Sequence, residues 1–436
     1  MKARCFSWQG HLTHLKNLSE QAAPSLEELV RASTFLSSSS LPPKQFPNLL
    51  TVLGQLKAKH DFSNDLLYNA KVKPILSESY ARKAWSLDEL SKILMGMVQT
   101  GYSEDSPVLS ELFTECISKA KTGMNTQLVR DLLWVMTETQ FVSYELVAEI
   151  EDMFERATFA PGLFDQNTTA TVLNAYAQLR LDFTRLEPVV VAGVLMNKFQ
   201  DFEANYKVRV AYEMARMEYW DAETWGVMLR HLHMEDYSSL TRHTKFQAYH
   251  MLMILDLLAP SDIRGQTEAL QLLRKEVEAV WEEEMHKKGA LTRFFSKPTL
   301  LNRKLGIAVS RPVHPVSEKT SLLTKKFAQH IANMGKAFII EHVTPAPYSL
   351  DVDILYEART VIELNGPTHY IRESFRPTGS TILKRKILQK LNYVVVEVPH
   401  YVWDKLSEKQ RISQINRLLR VASANEQKQS TETLVP

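Results

Sequence analysis

Apolar positions recur along most of this chain with the spacing of a helix that hides one face. In the stretch holding Leu128, Leu132, Val135 and Met136 they keep the i, i+3, i+4, i+7 relation that makes one buried stripe per helix. The same arrangement returns at a fixed interval. Met97-Val-Gln-Thr-Gly-Tyr102 closes a helix-patterned run and precedes a turn, SEDSPVLSEL, that opens a second one. Equivalent segments follow at Met136–Phe141, Tyr176–Leu181, Met214–Tyr219 and Met253–Leu258, their starts 39, 40, 38 and 39 residues apart. A less regular copy begins at Leu53-Gly-Gln-Leu56, 44 residues upstream of the first.

Two amphipathic helices and two turns fill such a unit, and a lone helical hairpin cannot bury its apolar face without neighbours. The pattern therefore predicts an α-solenoid over residues 43–285, with one concave face built from the first helix of each pair. Residues 1–42 form an N-terminal extension. After residue 285 the period is lost and the pattern changes to α/β. Helix is expected over 322–333 and 381–391, strand over 337–343, 350–356, 360–364 and 393–398, and a final helix over 403–419, in the order αβββαβα. A polar tail, 421–436, is expected to be disordered.

Net charge changes the picture only locally. The chain has 52 Lys and Arg against 50 Asp and Glu, so it is no polycation. Between His286 and Lys336, however, eleven Lys or Arg face the single acid Glu318. The linker 286–324 is thus a basic segment suited to a phosphate backbone, with Lys287, Lys288, Arg293, Arg303 and Lys304 as its cations and Phe294 and Phe295 for base stacking. By contrast Glu138, Glu145, Glu149, Glu151, Asp152 and Glu155 crowd the middle of the solenoid, an acidity that repels phosphate and points that stretch towards protein or solvent.

Two cysteines, Cys5 and Cys116, are too few for a disulfide scaffold or a structural zinc site. No apolar run reaches the ~20 residues a membrane span requires. The first nineteen residues carry Lys2, Arg4 and Lys16 and no acid before Glu20, a bias shared with mitochondrial import segments. Walker, GxGxxG, HExxH and paired CxxC patterns are missing, so no cofactor is expected.

The last hundred residues hold a set of motifs: Asp353 on one strand, Ile362-Glu363, Asn365-Gly366-Pro367, His369-Tyr370, Thr378-Gly379, Thr381, Lys384, Leu388, the strand Val394–Val398, and Trp403. Together they resemble the RAP domain, a small module of the PD-(D/E)XK nuclease-like fold. The helical period is similar to octotricopeptide-type and apicomplexan repeats, and the plan of helical repeats before such a domain resembles RAP proteins of those kinds and, more distantly, the Fas-activated serine/threonine kinase family of mitochondrial RNA-binding proteins. The resemblance implies an RNA-binding module over 325–420, in a mitochondrion or a plastid, with rRNA and ribosomal or other ribonucleoprotein components as partners. A purely structural helical scaffold is the bland rival.

A nuclease of that fold needs two acids for Mg²⁺ and a lysine two residues after the second. Asp353 and Glu363 stand where the metal pair belongs, but Asn365 occupies the lysine position, so the site is expected to be vestigial and the module to bind rather than cut. A lysine displaced to Lys384 or Lys386 is the way an endoribonuclease would survive. For RNA contact the expected residues are His369 and Tyr370 as flat faces, with Arg372, Arg376, Lys384, Arg385, Lys386 and Lys390 as cations.

Overall fold

In the computed structural model, residues 8–21, 25, 27–28, 43–60, 72–101, 106–156, 164–287, 322–333, 335–336, 338–344, 350–356 and 359–432 are described. They divide into two compact units, Met1–Asn197 and Lys198–Pro436.

The first unit is helical. Its main helices are α1 (Trp8–Glu20), α2 (Phe46–His60), α3 (Leu87–Thr100), α4 (Ser106–Gly123), α5 (Thr126–Thr139), α6 (Tyr144–Arg156) and α7 (Gln166–Leu179). α2, α3, α5 and α7 pack side by side in one layer, while α4 lies against α3 and α6 against α4 in another. The expected repeat is therefore visible as helical pairs, and the Met97, Met136 and Tyr176 side chains of the repeated segment are all buried.

The period is written into the helix ends as well. Ser86 starts α3 with a capping box, its hydroxyl accepting from the Glu89 amide while the Glu89 carboxylate accepts from the Ser86 amide. Asn125 and Asp165 cap α5 and α7 with the side-chain bond alone, accepting from the Leu128 and Thr168 amides. The residue after each of these helices, Gly101, Gln140 and Arg180, takes left-handed backbone with φ of 82°, 54° and 54°. Gly96 lets α2 approach α3 closely, since a Cβ there would sit 2.7 Å from Leu50 Cβ and 2.8 Å from the Leu50 carbonyl carbon.

The acids in the middle of the solenoid are not left to repel. Arg185 takes Glu155 at 2.8 Å, Glu151 at 3.0 Å and Asp152 at 2.7 Å, and Tyr176 donates its hydroxyl to Glu151 at 2.7 Å. Three of the six carboxylates read as a negative patch are thus tied to one guanidinium.

The second unit begins with α8 (Ala204–Arg216), α9 (Ala222–Leu232), α10 (Arg242–Leu258) and α11 (Thr267–Lys287). It ends with the α/β module: α12 (Leu322–Asn333), β1 (Phe338–Val343), β2 (Asp351–Tyr356), β3 (Thr360–Asn365), the two-residue strands β4 (Tyr370–Ile371) and β5 (Arg376–Pro377), α13 (Gly379–Lys390), β6 (Val394–Pro399), the short α14 (His400–Trp403) and α15 (Glu408–Glu432). The four-stranded sheet runs β1-β2-β3-β6, antiparallel except for the parallel β3–β6 pair that α13 bridges. The described residues are thus mostly helical, with a small mixed sheet in the C-terminal region. The expected order αβββαβα holds, with the β4–β5 hairpin added between β3 and α13.

One core joins Phe327 and Ile331 of α12, Ile354 and Tyr356 of β2, Ile362 and Leu364 of β3, Trp403, and Ile415 and Leu419 of α15. A second, smaller one holds Leu388 of α13 with Leu355 and Val361. Trp403 is a core residue at 2% exposure, packed at a tilt of 42° against Phe327 with ring centroids 5.1 Å apart.

Three boundaries differ from the sequence expectation. The compact units part inside the expected 43–285 solenoid rather than at the basic linker, because α13 of the module packs on α8 and α10. The helix expected over 403–419 is broken after Trp403 and restarts behind Ser407, whose amide and hydroxyl both donate to the Gln410 side chain. The helix runs on to Glu432, into the 421–436 tail expected to be disordered, and residues 433–436 lie outside the described residues. Residues 421–432 contain neither Gly nor Pro and are rich in Ala, Glu, Gln and Lys, so intrinsic propensity carries the helix on.

Candidate nucleic-acid interface

Alternation along the strands decides which polar groups share a face. The register that pairs Ile354 with Ile362 sets Asp353 beside Glu363, and the parallel register sets Glu363 beside Glu397. A row of three acids therefore crosses β2, β3 and β6, and α13 answers it from above. Lys384 Nζ lies 2.6 Å from Glu363 Oε2, and Arg385 is 2.8 Å from Glu397 Oε2. Lys386 leaves the module and meets Glu218, in the turn between α8 and α9, at 2.5 Å. Three consecutive cations expected to hold phosphate are each paired with an acid from a different element.

The residues of the expected vestigial site each make definite contacts. Asp353 Oδ2 accepts the Leu364 amide at 2.7 Å, which fixes the strand just before the Gly366-Pro367 turn. Asn365 Nδ2 donates to Glu397 Oε1 at 3.4 Å. Glu363 is buried; the desolvation that results raises its carboxyl pKa to about 7 against the opposing pull of Lys384. Its Oε1 atom has no hydrogen-bond partner.

This donor set does not fit a catalytic Mg²⁺. Each of the two candidate carboxylates, Asp353 and Glu363, already commits an oxygen to protein, and the counter-charge for Glu363 is an ammonium. No group of three His, Cys, Asp or Glu side chains among the described residues is placed to hold a metal ion.

His369 and Tyr370 are held inward. The His369 ring meets Thr381 Oγ1 at 3.2 Å and its carbonyl accepts the Thr378 amide at 3.0 Å, so the turn and the start of α13 are one piece. Burial, reinforced by the Lys384 charge, lowers the His369 pKa and keeps the ring neutral near pH 7. Tyr370 is only 5% exposed. Burial raises its pKa to about 12, and it packs edge-on against Tyr401 with centroids 5.2 Å apart.

The exposed flat surface comes from residues the sequence reading passed over. Phe375, 49% exposed, lies on Tyr401 with centroids 4.6 Å apart, and His400 stands edge-on to Tyr401 at 5.6 Å. Phe375 reaches this place from the β4–β5 turn, where Glu373 and Phe375 both take left-handed backbone, with φ of 63° and 52°. Such conformations are costly for a bulky residue and concentrate at functional sites. The pattern Arg372-Glu-Ser-Phe-Arg376, an aromatic between two arginines in a tight turn, was the available signal. Arg376 is exposed and Arg372 half-buried, so a cation stands on either side of the ring in the chain.

Of the remaining expected cations, Lys390 is exposed at the end of α13. Lys287 ends α11. Lys288, Arg293, Arg303 and Lys304, with Phe294 and Phe295, lie outside the described residues, as does Cys5. Cys116 is buried, and desolvation raises its thiol pKa to about 12. No helix among the described residues is long and apolar enough to cross a membrane.

An aromatic step flanked by arginines, beside a strand pair whose acids are neutralised from within, has the make-up of a surface for unpaired bases and phosphates. A family comparison agrees with the motifs that built it: residues 362–418, from the middle of β3 into α15, match the RAP domain. RAP domains are in general RNA-binding domains. The chain accordingly carries a RAP domain over these residues, behind helical repeats.

Proposed function

We propose that this protein binds single-stranded RNA in the mitochondrion, with rRNA of the mitochondrial ribosome, or of its assembly intermediates, as the target. The observation that carries the reading is the Phe375–Tyr401 step, a half-exposed aromatic face between Arg372 and Arg376. Stacking on such faces is worth about 1–3 kcal/mol per base and tolerates any sequence. Support for the organelle comes from the acid-free basic start of the chain before Glu20 and from the setting in which RAP modules behind helical repeats are expected. The helical pairs supply surface for ribosomal or other ribonucleoprotein partners.

Affinity for a labelled single-stranded RNA, measured for the wild type and for Phe375→Ala, tests the reading. A loss of about 10-fold or more is expected from removing one stacked base. Equal affinity would sink the platform as the RNA site. Localisation is tested by fusing the first 42 residues to a fluorescent reporter and imaging it against a mitochondrial dye; a diffuse signal counts against the organelle. Cleavage of the bound RNA on adding Mg²⁺, lost in Asp353→Ala, would favour an endoribonuclease over a binder.

A further inference from the structure

The cations that the motifs single out are largely engaged: Lys384, Arg385 and Lys386 each hold an acid of this chain. A phosphate backbone running past the Phe375–Tyr401 step then needs cations beyond Arg372 and Arg376. The outer face of α15 offers an open groove of about 490 Å³ lined by Lys409, Ile412, Ser413, Asn416, Arg417 and Arg420. All six side chains are exposed, and among the described residues Lys409, Arg417 and Arg420 form no ion pair. The inner face of the same helix is fixed in the core by Ile415 and Leu419, and Arg411 turns inward over Trp403, 5.3 Å from its ring centroid. The helix thus separates one structural arginine from three cations, Lys409, Arg417 and Arg420, that face solvent.

We infer that this groove is a second RNA contact of the module, a track for the phosphate backbone of the strand whose bases stack at Phe375 and Tyr401; the inference rests on the RNA-binding reading above. Three features favour RNA as the occupant. The charge is complementary: the described side chains from Lys409 to Arg420 include four cations and no acid. The groove is mixed rather than apolar, with Ile412, 41% exposed, to lie against a sugar or base and Asn416 to reach a ribose hydroxyl or base edge. It also follows the platform directly in the chain, since Tyr401 sits on α14 and the Leu406 amide donates back to the Trp403 carbonyl before α15 begins. From Lys409 to Arg420 the helix rises about 16 Å, enough for several successive phosphates.

The test uses the full chain, a fluorescein-labelled single-stranded RNA of about 20 nucleotides, and dissociation constants measured from 50 to 300 mM KCl. For the wild type, log affinity falls steeply with log salt. In the triple variant Lys409→Gln/Arg417→Gln/Arg420→Gln the slope is expected to shrink by about 2, from about 0.7 per released phosphate contact, with a 10- to 100-fold loss of affinity at the lower salt. The charge-preserving variant Arg417→Lys/Arg420→Lys should keep the wild-type slope, and thermal melts confirm that both variants fold. Phe375→Ala should lower affinity while leaving the slope unchanged. If the triple variant keeps the wild-type slope while Phe375→Ala still weakens binding, the groove is not an RNA track and the platform reading survives. If the wild type binds no RNA, both fall together.

Discussion

Lys384 Nζ lies 2.6 Å from Glu363 Oε2, so a lysine on α13 neutralises an acid on β3 twenty-one residues before it. In a nuclease of this architecture the second acid would hold a metal ion. Here it holds an ammonium, and Asn365 two positions on is bonded to Glu397 instead.

Glu363 makes stability depend on pH in a direction opposite to that of most paired carboxylates. Burial, with Asp353 adding to it and Lys384 opposing, raises its pKa from 4.5 to about 7. The folded state therefore binds this proton more tightly than the unfolded chain does. The stabilisation is fully present below about pH 4.5 and is lost as pH rises through about 7. For so buried a group the effect is at most about 3 kcal/mol. Melting temperatures between pH 5 and 8 should fall more for the wild type than for Glu363→Gln, and parallel profiles would remove the assignment.

The same pair predicts a non-additive double mutant. Lys384→Met leaves Glu363 buried without a counter-charge, a loss of about 3 kcal/mol in urea denaturation. Lys384→Met/Glu363→Gln should recover most of it, because the neutral amide needs no partner cation. If the two losses simply add, the ion pair is not what holds the two elements together.

Much of the architecture was legible because the physics that builds it is local. The 38 to 40 residue beat is carried by buried Met97, Met136 and Met214, by caps at Ser86, Asn125 and Asp165, and by the turns that follow, all short-range signals. The strands and their order along the chain could be read because β3 and β6 are dense in Val and Ile, and Asp353 and Glu363 fell where a paired site belongs. What could not be read were partners distant in the chain. Nothing near Lys386 announces Glu218, 168 residues earlier, and nothing near Glu151 announces that Arg185 neutralises it. The same limit hid the Phe375–Tyr401 step, since neither residue belongs to the motif positions and only folding brings them together.

Gly96 and Gly226 both lie inside helices, yet alanine should act on them with opposite signs. A Cβ on Gly96 would stand 2.7–2.9 Å from the Leu50 side chain and carbonyl, and backbone cannot step aside. Overpacking of this kind costs about 1–3 kcal/mol and outweighs the gain in helix propensity of at most about 1 kcal/mol. A Cβ on Gly226 meets only Gln266, at 3.6 Å, an ordinary contact. Thermal denaturation should therefore show Gly96→Ala destabilised and Gly226→Ala stabilised. A stabilised Gly96→Ala would mean that α2 and α3 are not in such close contact.

The strongest statement of the repeat is a backbone one. Gly101, Gln140, Arg180 and Glu218 each follow a first helix of a pair, 39, 40 and 38 residues apart, and each has positive φ: 82°, 54°, 54° and 56°. Only the first is glycine, the residue that enters this region without strain. For the others the left-handed conformation costs about 1–2 kcal/mol, partly offset in a comparison with glycine by the latter's larger loss of backbone entropy. Arg180 is the clean place to measure the balance, because its side chain is exposed while its amide donates to the Tyr176 carbonyl in any residue's hands. Arg180→Gly should raise stability by about 0.5–1 kcal/mol, and Gly101→Ala should lower it by about 1 kcal/mol. Both are read as shifts in urea midpoint at unchanged m-value. A destabilised Arg180→Gly would show that the turn does not impose the left-handed geometry, and that the beat shared by these four positions reflects sequence alone.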